Sequence, residues 1–430
     1  MSAKVQLKIS RGKDAGKIFA FTEHDTFVFG RMDDCHACIP DDTQVSRHHF
    51  LLEVNPPQAC LRDLGSLNGT WVNKTKCGGR KEGETPEEGA KWKYPEVLLK
   101  HEDRIRVGET EMEVLIEQPK EMPRHRADPE IGDIARLSPE QLARLIFGSP
   151  DHPGEKPKLK IPGYKIDAEI GRGGFGAVYR AHRVKDGNVV AVKVMLSRVD
   201  ADDETIERFK REVVLTAKLR HPNIVSYLET GSSGAMFYFV MDYCDGGSVA
   251  AVMQKHGGRL TLTQAKPIIL GALGGLAYAH GNGIVHRDVK PQNILLSHGE
   301  ARLSDFGISK NFEQAGFSGL SLTGHCAGTL VFMPREQITN FKYVKPVSDV
   351  WSMGATIYNL LTGAFPYPFT KERDPIDVIL NEDVVPIRKR DKTLPATLAA
   401  VLDKALAKKT KDRYQSAAEM LEDIKQALLC

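Results

Sequence analysis

The 430-residue chain has no apolar run approaching the ~18 residues needed to cross a bilayer, and no apolar signal core near its first residue. It also lacks a cysteine framework. Its seven cysteines are odd in number and scattered, which argues against a disulfide-stapled secreted domain and for a reducing compartment. Nor does it carry a charge excess: 59 Lys and Arg against 56 Asp and Glu give +3. Basic runs at residues 388–390 and 408–409 read as solvated faces, so no nucleic acid is expected as a partner. Cys35 and Cys38 match C-x-x-C, but no second pair stands at zinc-ribbon spacing, and they read as small buried thiols. These absences leave a cytoplasmic protein with no membrane span, long enough for two or three domains.

What is present divides the chain into three zones. Residues 5–116 hold short β-type runs at 26–29, 50–54, 59–63, 70–72, 104–107 and 111–115, separated by Gly, Asn, Asp and Pro. That pattern predicts an all-β sandwich, with residues 74–93 as a long polar surface loop. Residues 119–160 are rich in proline and charge, as a linker should be, and hold one short helix over 138–147. Ser138 caps that helix, Pro139 starts it, and Leu142, Leu145 and Ile146 form its stripe. From residue 161 strand patterns come first (164–166, 177–180, 189–193, 237–241), then helical ones (262–280, 345–361, 416–428). A β-rich lobe followed by an α-rich lobe predicts an α+β bilobal domain over 161–428, with 1–118 as the separate sandwich.

The second domain carries the parts of phosphoryl transfer in order. Gly171, Arg172, Gly173, Gly174, Phe175 and Gly176 form G-x-G-x-x-G between two strand patterns. A Rossmann glycine loop would open a helix; here Ala177 to Arg180 continue as strand, which favours a glycine hairpin over phosphates. Val190, Ala191 and Val192 lead to Lys193, a point charge that would reach the α- and β-phosphates and needs a carboxylate to hold it. Glu212 in the amphipathic segment 204–219 is the choice for that carboxylate. His286, Arg287, Asp288, Lys290 and Asn293, then Asp305, Phe306 and Gly307, supply a base, cations and two metal ligands in the required order.

Taken together, residues 161–428 resemble a eukaryotic-type (Hanks) protein kinase domain, of a bacterial kind. The resemblance covers the glycine loop, Lys193, Glu212, the hinge at Met241, Asp242, Tyr243 and Cys244, the catalytic loop, the Asp-Phe-Gly motif and residues 349–354. It implies a non-specific serine/threonine protein kinase (EC 2.7.11.1) that uses ATP with Mg²⁺, or Mn²⁺. Asp288 would accept the proton of a protein Ser or Thr hydroxyl, Asn293 and Asp305 would hold the metal, and Lys290 would sit by the γ-phosphate. Lys290 followed by Pro291 marks the Ser/Thr branch. Ile170, Val178, Ala191, Met241, Asp242, Cys244 and Leu295 would surround the nucleotide with the glycine loop. Arg413 would pair with Glu336 at the end of the activation segment. Arg287 beside the base implies control by phosphorylation, with Thr323, Ser321 and Ser318 as acceptors and Thr323 preferred. Thr329 would be structural. One departure stands out: Pro334, Arg335 and Glu336 replace the usual Ala-Pro-Glu, and Leu330 a common proline, so the substrate-facing loop is atypical.

The first domain has its own motifs, mostly in turns: Gly30 and Arg31, then Ser46 to His49, then Gly65 to Thr70. An arginine fork, a serine hydroxyl and an asparagine amide suit a phosphorylated peptide. These motifs resemble a forkhead-associated (FHA) domain, a reader of phosphothreonine. By that resemblance Arg31, Ser46, Arg47 and Asn68 contact the phosphopeptide and His49 is structural. Leu67 departs from the more usual polar residue. The chain therefore reads as an autophosphorylating Ser/Thr kinase with a phosphothreonine reader for recruitment or autoregulation. The alternative is a phosphopeptide-binding scaffold with a silent kinase fold. Partners would be protein substrates and phosphothreonine proteins, or its own activation segment, tethered at roughly millimolar effective concentration.

Overall fold

The computed structural model describes residues 3–81, 84, 94–117, 161–173, 176–196, 209, 216–233, 236–307, 312, 330–339, 344–370, 373 and 375–429. The linker 119–160 with its helix, the centre of loop 74–93, Gly174, Phe175, Glu212, Ser318, Ser321, Thr323 and Thr329 lie outside that set.

The first domain is all-β among its described residues. One sheet runs in the order β2 (Ile18–Phe21), β1 (Lys4–Arg11), β11 (Thr110–Glu117), β10 (Arg104–Val107), β7 (Thr70–Val72), β8 (Thr75–Lys76). The other runs β4 (Ala37–Cys38), β3 (Asp25–Gly30), β5 (Phe50–Asn55), β6 (Gln58–Asp63), β9 (Val97–Leu98). Alternation builds the inner face of the first sheet: Val5, Leu7 and Ile9 are buried between exposed or half-buried neighbours and pair with Ile116, Val114 and Met112. Phe29 and Phe50 stack across β3 and β5 at 4.5 Å between ring centroids. The six expected strands are present, and β1, β2, β4, β8 and β9 join them. The second sheet breaks the alternation rule. β5 buries five consecutive residues from Phe50 to Val54, and Val28 and Leu51, on the face opposite Phe29 and Phe50, are 0% exposed. That sheet is covered on both faces.

The second domain opens with an antiparallel five-stranded sheet ordered β12 (Tyr164–Gly173), β13 (Gly176–Arg183), β14 (Val189–Leu196), β16 (Met236–Asp242), β15 (Tyr227–Ser233). The period of two in β14 sorts its residues. Val190, Val192 and Val194 enter one apolar cluster, and Ala191 and Met195 enter another on the opposite face. Lys193 shares the parity of Ala191 and Met195, which turns it toward the second lobe. A short sheet of β17 (Gly247–Ser248), β18 (Ile294–Ser297) and β19 (Glu300–Leu303) belongs to the second lobe.

The large lobe is helical: α1 (Val249–Lys255), α2 (Leu262–Gly281), α3 (Arg335–Thr339), α4 (Pro346–Thr362), α5 (Pro375–Asn381), α6 (Ile387–Arg390), α7 (Ala396–Ala405) and α8 (Ala417–Ala427). The Thr261 and Gln264 capping box starts α2, and Ser416 caps α8. α4 begins with Pro346 and ends at Gly363 with φ 71°, and it is buried from Val347 to Leu361. Trp351, 1% exposed, stacks on Tyr367 within the lobe's apolar core.

Candidate active site and phosphate-reading end

The candidate catalytic residues are positioned by a hairpin and a buried carboxylate. β18 and β19 pair Ile294 with Leu303 and turn at His298 and Gly299, both at positive φ, as a two-residue type I′ turn requires. The open end of this hairpin sets Asn293 beside Ser304, whose N–H donates to the Asn293 carbonyl at 2.9 Å. Asp305 follows at once, so the two expected metal ligands flank one strand pair. Below them the Asp349 carboxylate of α4 accepts the backbone N–H groups of His286 at 2.6 Å and Arg287 at 2.8 Å, and meets His280 Nε2 at 2.9 Å. Arg287 (φ 68°) and Asp305 (φ 61°) both occupy the left-handed region, a strain the surrounding bonds must hold. His286 is fully buried, bonds the Ser304 carbonyl at 2.9 Å and packs on Phe306.

These contacts leave the Asp288 carboxylate divided. Its Oδ2 meets Lys290 Nζ at 2.9 Å and the Asn293 amide at 2.9 Å. Its Oδ1 is buried and has no partner among the described residues. A buried carboxyl oxygen without a partner wants a donor, and an acceptor hydroxyl is one. Lys193 Nζ pairs with Asp305 Oδ1 at 2.9 Å. Burial works to raise the Asp305 carboxyl, and Lys193, Lys290 and His286 outweigh it and hold it below the usual carboxylate range. With its amide nitrogen committed to Asp288, Asn293 offers its oxygen beside a deprotonated Asp305. Two hard oxygen donors suit Mg²⁺ or Mn²⁺.

The expected nucleotide residues come together in part. Ala191, Met241 and Cys244 are buried in one apolar cluster, with Val178 and Leu295 packed against it. Ala191 and Met241 are cross-strand partners, as are Val178 and Lys193. The cluster joins strands of the small lobe to Leu295 of the large lobe. Burial pushes the Cys244 thiol up to about 11, so it contributes as an apolar wall. Asp242 is ion-paired with Arg302 at 3.3 Å. Ile170 is 47% exposed, on the strand that leads to the hairpin. Arg172 is also turned aside, holding Glu169 through bonds of 2.8 and 2.5 Å. The glycines differ in purpose. A Cβ on Gly171 would meet nothing within 4 Å, whereas one on Gly176 would lie 1.8 Å from the Val194 carbonyl. Gly171 keeps space open above the sheet, and Gly176 lets the hairpin lie flat on β14. Farther off, Arg413 holds Glu336 through two bonds of 2.6 and 3.0 Å, and Ser348 adds a third at 2.9 Å.

The phosphate-reading candidates cluster at one end of the sandwich. Gly30 allows that end to close: a Cβ there would sit 2.1 Å from the Arg47 carbonyl. Ser46 Oγ accepts the Leu67 N–H at 2.9 Å, and the Asn68 amide donates to the Gln44 carbonyl at 2.8 Å. His49 is buried, accepts the Ser46 N–H at 2.9 Å and meets the Gly69 carbonyl at 3.3 Å, tying the two loops together. Arg31, Ser46 and Arg47 line a cavity of about 190 Å³ together with Arg80. Arg80 was not among the expected residues, since loop 74–93 carries only a polar, charged pattern. Its buried Nε has no partner among the described residues. Three guanidinium groups and a hydroxyl around one small cavity suit a phosphate dianion. Cys35 and Cys38 bond separate carbonyls, Arg47 at 3.3 Å and Arg31 at 3.4 Å, and are both free. Among the described residues only Asp34, Cys35 and His48 have ligand atoms within metal-binding reach of one another, so Cys38 is no co-ligand.

Known proteins agree with this geometry. Residues 164–424 match the family model described as protein kinase domain, and residues 27–87 match that of the FHA domain. The chain belongs to the protein kinase family, and its first domain is an FHA domain whose sandwich extends on both sides of the matched stretch. It is 37% identical over 269 residues to the serine/threonine-protein kinase PknB of Mycobacterium tuberculosis, covering 61% of this chain and 42% of that protein. Against the probable serine/threonine-protein kinase PknB of Lactococcus lactis identity is 34%, over 62% of this chain and 42% of that protein. The chain thus spans about two-fifths of the length of these relatives. The crystal structure of the M. tuberculosis PknI kinase domain superposes with TM-score 0.51 at 26% identity, covering 63% of this chain and 98% of that one. The family uses ATP and a divalent metal. No helix among the described residues is long and apolar enough to cross a membrane.

Proposed function

We propose that residues 161–428 transfer the γ-phosphoryl group of ATP to Ser and Thr hydroxyls of proteins, this chain included. In the same reading, residues 1–118 read phosphothreonine and residues 119–160 link the two. The observation that carries the kinase reading is the divided Asp288 carboxylate: Oδ2 anchored by Lys290 and Asn293, Oδ1 buried and unpartnered. An acceptor hydroxyl donating to Oδ1 is oriented for attack. Its oxygen forms the new bond to the γ-phosphorus as the bond to the ADP oxygen breaks, and its proton passes to Asp288. Lys290 stabilises charge on the transferring group, and Lys193 exchanges Asp305 for the α- and β-phosphates. Asn293 and Asp305 would hold Mg²⁺, which when bound neutralises the bridging phosphate oxygens. Glu212 is the proposed holder of Lys193, and Thr323 the preferred site of self-phosphorylation. Free thiols, buried at Cys35, Cys60, Cys77 and Cys244, fit a cytoplasmic setting.

The test is incubation of the full chain with Mg-ATP followed by mass spectrometry of its phosphosites, beside Asp288→Asn. Phosphoserine and phosphothreonine in the wild type and a loss of roughly 10²–10⁴-fold in the variant are expected. Equal labelling in the two would remove Asp288 from its role. No labelling or ADP release from either would favour a silent scaffold.

A further inference from the structure

The phosphate-reading end of the FHA domain faces its own kinase domain. One wall of the 190 Å³ cavity is Arg31, Ser46, Arg47 and Arg80; the other is Asp377 and Asn381 of α5 in the large lobe. Beside the cavity the Asp34 carboxylate is shared between His48 Nε2 at 3.0 Å and the Arg335 guanidinium. Arg335 is one of the two residues, with Pro334, that break the family's Ala-Pro-Glu pattern, and Glu336 next to it is fixed by Arg413. An apolar contact supports the ion pair. Val28, Cys35, Leu51 and Leu64 of the sandwich belong to the same buried cluster as the large-lobe core. They include the two outward-facing residues of β3 and β5 that a free-standing sandwich would leave in water.

We infer that the FHA domain is docked through its phosphate-reading end onto α5 and the activation-segment end of its own kinase domain, and that a phosphothreonine peptide competes with this docking. This rests on the reading of residues 1–118 as a phosphothreonine reader. A cavity of 190 Å³ admits a phosphate group and a short side chain. An extended peptide seated on that phosphate would run into Asp377 and Asn381 of α5, which form the cavity's other wall. Peptide capture therefore requires Asp34 and Arg335 to part. Whatever weakens that pair raises the fraction of chains competent to bind, and the apparent affinity rises by the same factor. Phosphopeptide in turn uncovers the substrate-facing end of the activation segment.

The experiment compares full-length wild type, Asp34→Arg, Arg335→Asp and the double exchange. Each is titrated with a degenerate phosphothreonine peptide pool and its unphosphorylated counterpart, with small-angle scattering recorded in parallel. The single variants are expected to bind the phosphorylated pool roughly five- to a hundredfold tighter and to expand, and the double exchange to restore both properties. Equal affinity across the four, or weaker binding in the single variants as a composite site would give, overturns the competition while leaving the reader intact. Absence of phosphate-dependent binding in all four overturns the reader itself, and the competition with it.

Discussion

The Asp349 carboxylate, 63 residues down the chain, accepts the backbone N–H of His286 at 2.6 Å and holds the catalytic loop from below. The same carboxylate takes the N–H of Arg287, whose φ of 68° no side chain adopts freely. A single buried acceptor thus fixes the backbone immediately before Asp288.

The two backbone donors bond separate oxygens of the carboxylate, so Asp349→Asn sets an amide N–H₂ against one of them. Charge-assisted bonds of this kind contribute about 1.5–3 kcal/mol each, so the melting temperature should fall by several degrees. Phosphate transfer should drop more than tenfold, while ATP affinity should change less, because most of the expected nucleotide residues lie in the small lobe. Calorimetric melts and nucleotide titration separate the two effects.

Arg413, 1% exposed at its side chain, is the buried partner of Glu336. Arg413→Met strands that carboxylate with Ser348 alone and should cost roughly 3–5 kcal/mol in urea unfolding. Pairing it with Glu336→Gln should recover part of the loss, a coupling of about 0.5–3 kcal/mol. Simple additivity would mean that the two residues act separately.

Gly176→Ala and Gly171→Ala should behave oppositely. The first forces backbone apart at Val194 and destabilises the small lobe; the second meets open space and leaves stability near wild type. If Gly171 borders the phosphates, its alanine variant should show weaker ATP binding alone. Thermal melts with and without Mg-ATP distinguish the pair.

The FHA domain should be acid-sensitive. Burial lowers the His36 imidazole from 6.5 to about 4, while its Nδ1 accepts the Val28 N–H at 2.9 Å. The unfolded chain takes up a proton there below pH 6.5 and the folded one does so only near pH 4. The stability present above pH 6.5 is therefore lost progressively as pH falls between those values, roughly 3 kcal/mol for this group. His48 and His49 are lowered by burial in the same direction. His36→Gln should lower stability at pH 7 and flatten the pH slope, read from urea melts followed at Trp71.

Much of this was legible from residues alone, and what was not has a common physical cause. Local signals served well. The capping box at Thr261 and Gln264 marks the start of α2, and Pro346 with Gly363 brackets α4, because cap chemistry acts within a few residues. The order of Lys193, Asp288, Asn293 and Asp305 announced phosphoryl transfer. Pairing across the chain was not legible. β2 reads Ile-Phe-Ala-Phe, with no apolar–polar alternation to betray it, and Arg80 sits in a loop whose composition says only that it is polar. The partner of Arg335 lies 301 residues away, and no periodicity reaches that far. Arg335 could be seen as a departure from a pattern, but not as half of an ion pair.

The doubly covered sheet of the FHA domain has a practical corollary for anyone who dissects the chain. Cut free at residue 118, the sandwich would present Val28, Leu51 and Leu64 to solvent as a contiguous oily patch, with the Cys35 thiol at its edge. Such a fragment would be expected to self-associate, and to form intermolecular disulfides on storage in air, whatever its skill at reading phosphate. Good behaviour in the excised piece would call for polar replacements at Val28 and Leu51, where the intact chain has every reason to keep them greasy.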